Sequence, residues 1–387
     1  MEGIAVPFPQ KARTNAAPPD PVFLCLLLAA LVFGAAITYS ASSVYAEVFY
    51  GDKLYFFKRY VLFGVLSLAV AALFVWRATP EFWRGFGICL YGGAVFLLIL
   101  VLLIGTVGGG ARRWLVLGPL TIQPSEVAKP ALVLALSFVL TKYEKQVTSK
   151  KRGGGSFRYG VMLPAALILP ICLLVAAEKH ISGLLIIGML GVFVMFLGGT
   201  RPKYLLIMGL LVALAGGVLI LVSSYAQVRV NTWLHIEEVD PLGSAWQTLQ
   251  GLYAIGSGGL FGVGFGNGRQ KFGYVSQPQN DFVFTIICEE LGFFGAAAVI
   301  LLFLSLVLRG FYIASHAPDR FTSLAVYGLS VKLALQALLN IAVVTNSMPN
   351  TGVSLPFFSS GGTFLGIQIF EMGIVLSVSR YSTGRRV

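Results

Sequence analysis

About ten long apolar stretches dominate this sequence and constrain its fold more than any other feature. A helix of roughly 20 apolar residues spans the hydrocarbon core of a bilayer, and each stretch is near that length. Hydrophobic residues make up 57% of the 387 residues and charged residues only 11%, which is too apolar for an ordinary soluble domain. We therefore predict an all-α, polytopic membrane protein of about ten transmembrane helices. The predicted spans are Val22–Ala41, Tyr60–Val75, Phe86–Val107, Ser125–Leu140, Tyr159–Ala176, Ser182–Leu197, Tyr204–Ser224, Phe282–Val307, Leu324–Val344 and Gly362–Ser379.

The positive residues predict the orientation of these helices. With the N-terminus inside, most of the 28 Lys and Arg residues fall in the inner loops, where membrane proteins concentrate them. We therefore predict a cytoplasmic tail at residues 1–21, a transmembrane domain at 22–379 with a large outer loop at 225–281, and a second cytoplasmic tail at 380–387. The first 21 residues lack the short apolar core of a cleaved signal peptide, so the first span is predicted to be an anchor.

Charge and cysteine content argue against several other classes of protein. The net charge of +12 is mostly carried by the inner loops, so it indicates the membrane surface and no nucleic-acid partner. The four cysteines, Cys25, Cys89, Cys172 and Cys288, all fall inside predicted spans without a close pair. That spacing argues against a disulfide framework or a zinc site.

Asp281 lies at the most informative boundary in the chain. A basic, glycine-rich stretch from Arg229 to Asn280 precedes it, and the eighth predicted span follows at once. A carboxylate at the mouth of a membrane helix can stay charged in water and still meet a lipid-borne substrate. We predict that Asp281 faces outward and carries the chemistry.

Two other outer segments are unusual for simple connections. The segment from Gly108 to Pro124 places two arginines and Trp114 before a helix that we predict to begin with Ser125 as its N-cap. The segment from Asn346 to Gly361 carries two prolines, two phenylalanines and four serines before the last span. Long or irregular connections are usually functional.

Charges inside the predicted spans are costly in lipid and are therefore candidate functional groups. Glu126 and Lys129 are three residues apart on one helical face, so they either neutralise each other or line a polar cavity. Glu289 and Glu290 lie deeper than Asp281, and we expect Lys332 to pair with them, with Glu371 as a second candidate. Either a structural pair or a route for substrate or protons would account for this second group.

The glycine-rich stretch from Gly251 to Gly273 has spacings similar to those of phosphate-binding loops. A nucleotide site would have to face the cytoplasm, whereas this stretch is predicted outside, so we expect no nucleotide. Glycines also let one backbone approach another closely, and we predict a compact re-entrant or surface segment. Arg269 and Lys271 would then offer positive charge to an anionic headgroup, either of substrate or of ordinary lipid.

Four segments of the chain resemble one known family. They are RRWLVLGPLTIQPSEVAKP (112–130), DPLGSAWQTLQGLYAIGSGGLFGVGFGNGRQKF (240–272), PQNDFVFTIICEELGFFGA (278–296) and QALLNIAVVTNSMPNTGVSLPFFSSGGT (336–363). These segments are similar to the SEDS proteins of shape, elongation, division and sporulation, the family of RodA, FtsW and SpoVE. The last segment is closer to the FtsW and SpoVE branch.

The resemblance implies a ten-helix peptidoglycan glycosyltransferase. Such a protein polymerises lipid II on the outer face of the bacterial cytoplasmic membrane and works with a class B penicillin-binding transpeptidase. The family's essential aspartate matches Asp281, and a tryptophan needed for activity matches Trp114. Where the family commonly has Pro-Asp-Leu-Gly-Thr, this chain has Lys179-His180-Ile181-Ser182-Gly183, so the role of that aspartate does not carry over. We expect His180 to be a local structural substitute.

This reaction inverts the anomeric centre, so it needs a base for the attacking hydroxyl and positive charge for the pyrophosphate leaving group. We predict Asp281 as the base; alternatively, it holds a divalent cation such as Mg or Mn. No haem or flavin is expected. The candidate cations are Arg59, Arg112, Arg113, Arg229, Arg269 and Lys271. The other predicted substrate contacts are Trp114, Gln123, Ser125, Glu126 and Lys129.

Two other functions are consistent with the composition. The charges within the spans could line a path that moves a lipid-linked precursor or an ion, as in a flippase or transporter. The protein could instead be a non-catalytic scaffold that recruits the transpeptidase. The catalytic hypothesis places the critical residues in the outer loops, whereas transport requires the charges at mid-depth.

Overall fold

The computed structural model describes residues 16–108, 111–118, 120–149, 155–222, 224–240, 242–243 and 245–382. Parts of both predicted tails, residues 1–15 and 383–387, lie outside these ranges. The helices are α1 (Pro21–Tyr50), α2 (Tyr55–Arg77), α3 (Pro80–Ile104), α4 (Pro124–Lys142), α5 (Glu144–Val147), α6 (Gly155–Phe157), α7 (Leu163–Ala177), α8 (Ile181–Leu197), α9 (Pro202–Val222), α10 (Ser224–Leu234), α11 (Trp246–Gly258), α12 (Val283–Ser315), α13 (Arg320–Val344) and α14 (Gly362–Ser379). A π-helical turn, Arg158–Met162, precedes α7.

The long helices confirm the predicted polytopic fold. Within the described ranges, eight helices are long and apolar enough to cross a membrane, and α8 and α9 are further apolar helices where the sixth and seventh spans were predicted. The boundaries differ most at α1 and α12, which extend to Tyr50 and Ser315. Since successive spans alternate in direction, Asp281 lies at the same end of the bundle as the start of α4, α8 and α14. We call this the Asp281 end.

A small antiparallel sheet lies at the Asp281 end between α3 and α4. Its strands are β1 (Thr106–Gly108), β2 (Ala111–Leu117) and β3 (Leu120–Ile122), in the order β1-β2-β3. Leu115 pairs with Ile122 across β2 and β3. The Thr363 hydroxyl donates to the Thr121 carbonyl and ties the sheet to α14. The segment that was predicted only as an unusual connection is therefore a three-stranded sheet held against the bundle.

Two ion pairs join charged side chains that are buried in the bundle. Lys332 on α13 lies 2.8 Å from Glu371 on α14, and both side chains are fully buried. Lys129 lies 2.6 Å from Glu126 one helical turn away. Burying such a charge without a partner would cost several kcal/mol. The prediction that Glu289 and Glu290 pair with Lys332, or with Glu371 as the second candidate, was therefore wrong, because Lys332 and Glu371 pair with each other.

The glycine loop, residues 259–275, inserts into a break in α12. Gly292 has a φ of 66°, so the helical hydrogen-bond ladder is interrupted there. The Val263 and Gly264 amides donate to the freed carbonyls of Glu289 and Glu290 at 2.9 and 3.1 Å. In return, the Phe293 amide donates to the Gly259 carbonyl at 2.9 Å. Backbone groups left open by the break are thus paired within the protein, as a membrane environment requires.

The carboxylates of Glu289 and Glu290 also bind the glycine loop. Glu289 accepts the Arg269 amide at 2.7 Å, and Glu290 accepts the Gly266 amide at 2.9 Å. Lys271 is buried and lies 2.8 Å from Glu290, which also accepts from Ser40 of α1. The compact re-entrant segment predicted from the glycines is therefore present. The proposed headgroup-binding role of Lys271 is corrected, because its ammonium group is buried against Glu290.

The opposite end of the bundle is tied by a separate set of ion pairs. Asp20 caps α1 by accepting the Phe23 amide at 2.9 Å, and it also pairs with Arg309 at 2.8 Å. Arg320 at the start of α13 lies 2.6 Å from Glu144. These contacts place several of the basic residues of the predicted cytoplasmic face in structural pairs.

Lys271→Ala is expected to destabilise the protein by about 3–5 kcal/mol, because it leaves the buried Glu290 carboxylate without its cation. The measurement is the thermal unfolding midpoint of purified protein in detergent. Combining Lys271→Met with Glu290→Gln removes both charges and is expected to recover most of the loss. Lys53→Ala, which breaks an exposed pair with Glu47, is the matched control and should leave the midpoint unchanged. An unchanged midpoint in Lys271→Ala would contradict a stabilising role for the Lys271–Glu290 pair.

Candidate functional site

Asp281 is half-buried two residues before α12, and side chains from two other segments hold it. Its Oδ1 atom accepts a hydrogen bond from the Ser354 hydroxyl at 2.9 Å. Its backbone carbonyl accepts one from the Asn340 amide of α13 at 2.7 Å. The second carboxylate oxygen, Oδ2, faces Gly352, where an added Cβ would lie only 3.1 Å away. The half-buried carboxylate is therefore held in position.

The loop 346–361 forms one wall of this site. The fully buried Asn340 also donates to the Val353 carbonyl at 2.6 Å, so a single amide joins the loop to Asp281. The Ser359 hydroxyl donates to the Asn280 carbonyl at 2.7 Å, and the Ser360 hydroxyl to the Asn280 side chain at 2.8 Å. The loop thus binds the preceding residue, Asn280, as well as the Asp281 carboxylate.

The far end of the same loop is anchored inside the helix bundle. Phe357 and Phe358 are fully buried, and the Tyr60 hydroxyl donates to the Phe357 carbonyl at 2.6 Å. Thr38 of α1 donates to the Phe358 carbonyl at 3.1 Å. Gly34 permits this approach, because a Cβ there would lie 2.2 Å from the Phe357 oxygen. Irregular backbone at this depth is therefore paired by α1 and α2.

Three neighbours oppose the effect of burial on Asp281. Burial raises the pKa of Asp281, whereas the Ser354 hydrogen bond and the positive charges of Arg229 and Arg113 lower it. Because burial has the larger effect, the pKa lies above the ordinary aspartate value. A raised pKa makes the carboxylate a stronger proton acceptor than a solvent-exposed aspartate.

Arg229 of α10 and Arg113 of β2 lie on different structural elements, and both charges act on Asp281. The Arg229 guanidinium donates to the Asn350 carbonyl, which belongs to the 346–361 loop. The Arg113 guanidinium of β2 donates to the Glu178 carbonyl at 3.4 Å and to the Lys179 carbonyl. Each guanidinium is therefore held by backbone at the Asp281 end.

The other predicted cations lie elsewhere. Arg59 stacks near Tyr55 and Phe63, with its guanidinium carbon 5.8 Å from each ring centroid. Arg112 donates to the Leu102 carbonyl of α3 at 3.3 Å, and the Arg269 side chain is exposed. Of the six predicted cations, the structure thus places Arg113 and Arg229 where their charges act on Asp281.

A polar cluster at the start of α4 contains the remaining predicted contacts. Ser125 is not the N-cap of α4, since the helix begins at Pro124 and Gln123 occupies the cap position. Instead, Ser125 Oγ lies 3.0 Å from His180 Nδ1, and Gln123 Nε2 lies 3.5 Å from the same atom. Burial lowers the pKa of His180 to about 3, so the imidazole is neutral at physiological pH. This placement agrees with the structural role predicted for His180.

Trp114 is held on β2, where the Thr106 hydroxyl donates to its backbone carbonyl at 3.1 Å. Its side chain is half-buried at the Asp281 end. The sheet therefore fixes Trp114 and Arg113 as neighbours on one strand. A substrate-binding role for Trp114 stays a prediction.

The donor set around Asp281 does not form a protein-only metal site. Within the described ranges, no group of three His, Cys, Asp or Glu side chains converges as metal ligands would. Hard divalent cations prefer six or more oxygen ligands. A cation at Asp281 would therefore take most of its ligands from substrate phosphates and water, and this role stays a prediction.

Sequence reasoning missed Asn340 and Ser354 as site residues. They lie 59 and 73 residues from Asp281 in the chain, so no local pattern joins them. The available signal was Asn340 itself, one of two side-chain amides in this largely apolar span, four residues after Gln336. Amides in such a setting need hydrogen-bond partners and often mark a junction.

Comparisons with known proteins agree with this architecture. Residues 21–384 match the family model for FtsW, RodA and SpoVE, described as cell cycle protein. The chain is 38% identical to stage V sporulation protein E of Bacillus subtilis, with 95% of this chain and 99% of that protein covered. It is 34% identical to the probable peptidoglycan glycosyltransferase FtsW of Geobacter sulfurreducens, with 93% and 95% covered.

Solved structures show the same fold. One solved structure concerns the structural coordination of polymerization and crosslinking by a peptidoglycan synthase complex. A chain of that structure matches this chain with a TM-score of 0.76 and 28% identity. That match covers 94% of this chain and 98% of the other. The rod shape determining protein RodA of Thermus thermophilus matches with a TM-score of 0.68 and 29% identity, over 94% and 98% of the two chains.

Asn340→Leu is expected to release the 346–361 loop, because the Asp281 and Val353 carbonyls lose their shared donor. Leaving buried polar groups unpaired costs about 1–3 kcal/mol each. Hydrogen–deuterium exchange of the purified protein should show faster exchange in residues 346–361 while α3 and α7 stay unchanged. Asn231→Leu, at an exposed asparagine of α10, is the control. Equal exchange in the two variants would contradict the proposed junction.

Proposed function

The chain belongs to the FtsW, RodA and SpoVE family of cell cycle proteins, and we propose that it polymerises lipid II into β-1,4-linked glycan strands with Asp281 as the base. It is a peptidoglycan glycosyltransferase with the RodA-like polytopic fold. The observation that carries the assignment of Asp281 is its position: a half-buried carboxylate at the mouth of α12 that is held by Ser354 and lies within the charge of two arginines.

The chemistry needs a single displacement. In lipid II the donor sugar is α-linked to undecaprenyl pyrophosphate, and the product linkage is β, so the anomeric carbon inverts. The acceptor's 4-hydroxyl oxygen forms the new bond to this carbon as the bond to pyrophosphate breaks. The hydroxyl proton must leave during this step, and a positioned carboxylate is a suitable acceptor for it.

Asp281 has the features required of this base. Ser354 and Asn340 restrict its side chain and backbone, so little reorganisation is needed when the hydroxyl approaches. Burial raises its pKa, which strengthens it as a proton acceptor, while the arginines favour the ionised form. This combination supports general base catalysis.

Arg113 and Arg229 are suited to the leaving group. Pyrophosphate is already a good leaving group, so it needs charge stabilisation more than a strong acid. Guanidinium groups match phosphate oxygens in geometry and remain charged at all relevant pH values. Hydrogen bonds to backbone carbonyls hold both arginines in place before substrate binds.

We place Asp281 on the outer face of the bacterial cytoplasmic membrane, with both termini inside. The excess of Lys and Arg in the opposite set of loops supports this orientation. We also propose a class B penicillin-binding transpeptidase as the partner. The match to a chain of a peptidoglycan synthase complex that combines polymerization and crosslinking supports that pairing.

The buried charges favour glycosyl transfer over a flippase, a transporter or a scaffold. Lys332 on α13 pairs with Glu371 on α14, and Lys129 pairs with Glu126 on the same helix, each within 2.8 Å. These charges therefore neutralise each other in pairs. By contrast, the residues that converge at the Asp281 end form a preorganised acid–base site. A scaffold would not need such an arrangement.

Asp281→Asn and Asp281→Ala are expected to abolish polymerisation, because neither side chain accepts the hydroxyl proton. The assay incubates purified protein, alone and with its transpeptidase partner, with lipid II and measures glycan chains. Both variants should retain the folded yield of the parent, since the Asn340 bond to the Asp281 backbone is kept and the side chain loses at most the one hydrogen bond from Ser354. Polymerisation at the parent rate by either variant would contradict the role of Asp281.

Activity is expected to rise with pH through the pKa of Asp281, because only the ionised form accepts a proton. Since burial raises this pKa, the acidic limb of the kcat/KM profile should lie above the ordinary aspartate range. Removing positive charge raises the pKa further, so Arg229→Gln should shift that limb to higher pH. Arg269→Gln, a charge removal on the exposed part of the glycine loop, is the control. A limb that stays in place in Arg229→Gln would contradict this coupling.

A further inference from the structure

A cavity of about 240 Å³ lies between α10, α11 and the 346–361 loop. Pockets for drug-sized ligands usually measure about 300–1,000 Å³, so this one is suited to a fragment such as a single ring. Its wall includes Arg229, Trp233, Gln247, Thr248, Asn346 and Asn350. These residues offer amides, a hydroxyl and an indole, with one cation and no carboxylate among them.

The cavity and Asp281 share two structural elements. Arg229 lines the cavity, and its charge also acts on Asp281. The 346–361 loop contributes Asn346 and Asn350 to the cavity wall and then Gly352 and Ser354 to the surroundings of Asp281. Because two residues span at most about 7 Å, Asn350 and Gly352 keep the cavity next to the carboxylate.

The polar wall is ordered by its own hydrogen bonds. The Trp233 indole N–H donates to the Asn346 carbonyl at 2.9 Å, and Arg229 donates to the Asn350 carbonyl. Gln247 lies between the two segments, since its side-chain oxygen accepts from Asn350 at 3.5 Å and its nitrogen donates to the Ser276 carbonyl at 3.4 Å. The backbone carbonyls of Asn346 and Asn350 thus accept hydrogen bonds, while Asn346 itself is half-exposed at the cavity.

We propose that this cavity binds the acceptor sugar, as one N-acetylhexosamine ring whose 4-hydroxyl then faces Asp281. This inference rests on the proposed glycosyl transfer and assigns a subsite to it. An indole beside amides is suited to a pyranose, because the ring buries apolar C–H groups and keeps hydroxyls for hydrogen bonds. The amides of Asn346 and Gln247 complement the acetamido group, which has one donor and one acceptor.

The charge of the wall favours the acceptor sugar over the pyrophosphate. A pyrophosphate carries several negative charges and needs several cations close by, whereas Arg229 is the one cation among the residues lining this cavity. Arg113 approaches Asp281 from β2, on a different element from the α10 helix that carries Arg229. The uncharged ring is therefore placed against the amides and the indole of this wall, and the leaving group is placed where it meets the charges of both Arg113 and Arg229.

The test measures polymerisation at increasing lipid II concentration for Asn346→Ala and Gln247→Ala of the full-length protein with its transpeptidase partner. We expect KM for lipid II to rise about 5- to 10-fold, as one lost hydrogen bond predicts, while kcat changes less than about 3-fold. Asn231→Ala, an exposed asparagine on α10 outside the cavity wall, is the matched control and should keep the parent KM. An unchanged KM in both cavity variants would overturn the proposal.

A competing substrate separates binding of the sugar from general damage to the loop. The probe is a lipid II analogue whose terminal sugar carries a free 2-amino group in place of the acetamido group. The parent should prefer the acetylated substrate, and Asn346→Ala should lose most of that preference; equal preference in the two proteins would overturn the assignment. If the parent itself made no glycan, the proposed function would fail, whereas an active parent with unaltered cavity variants would remove only this subsite.

Discussion

Two hydrogen bonds from one buried amide hold the site together. Asn340 on α13 donates to the carbonyls of Asp281 and Val353, so the start of α12 and the 346–361 loop are fixed to a third helix. Ser354 follows Val353 directly and donates to the Asp281 carboxylate. The position of the proposed base therefore depends on a residue that touches no substrate in this account.

The same requirement for satisfied backbone explains the two irregular segments. The glycine loop closes the break in α12 at Gly292, and the 346–361 loop ends with Phe357 and Phe358 buried against α1 and α2. In each case the polar groups of irregular backbone are paired inside the protein, because lipid offers no partners. These two segments bring their exposed portions to the Asp281 end, where the chemistry is proposed.

Apolar length and charge position were enough to predict the spans and the Asp281 boundary, and the glycine spacing was enough to predict the compact glycine segment. They failed where contacts join distant parts of the chain. The partner of Lys332 proved to be Glu371 on the next helix, and Glu290 pairs with Lys271 of the glycine loop. Ser125 looked like an N-cap from its place after Pro124, whereas its hydroxyl contacts His180 of α8. The three-stranded sheet before α4 was missed because its strands carry little hydrophobic alternation of their own.

The account requires Asp281 and its loops to face the wall side of the membrane. The most direct measurement is labelling of a single cysteine at Ser276, an exposed position five residues before Asp281, in a cysteine-free background with a membrane-impermeant maleimide. The account predicts labelling in intact cells, at the level seen after the membrane is opened. Labelling that occurs only after the membrane is opened would place the carboxylate in the cytosol and contradict the proposed mechanism.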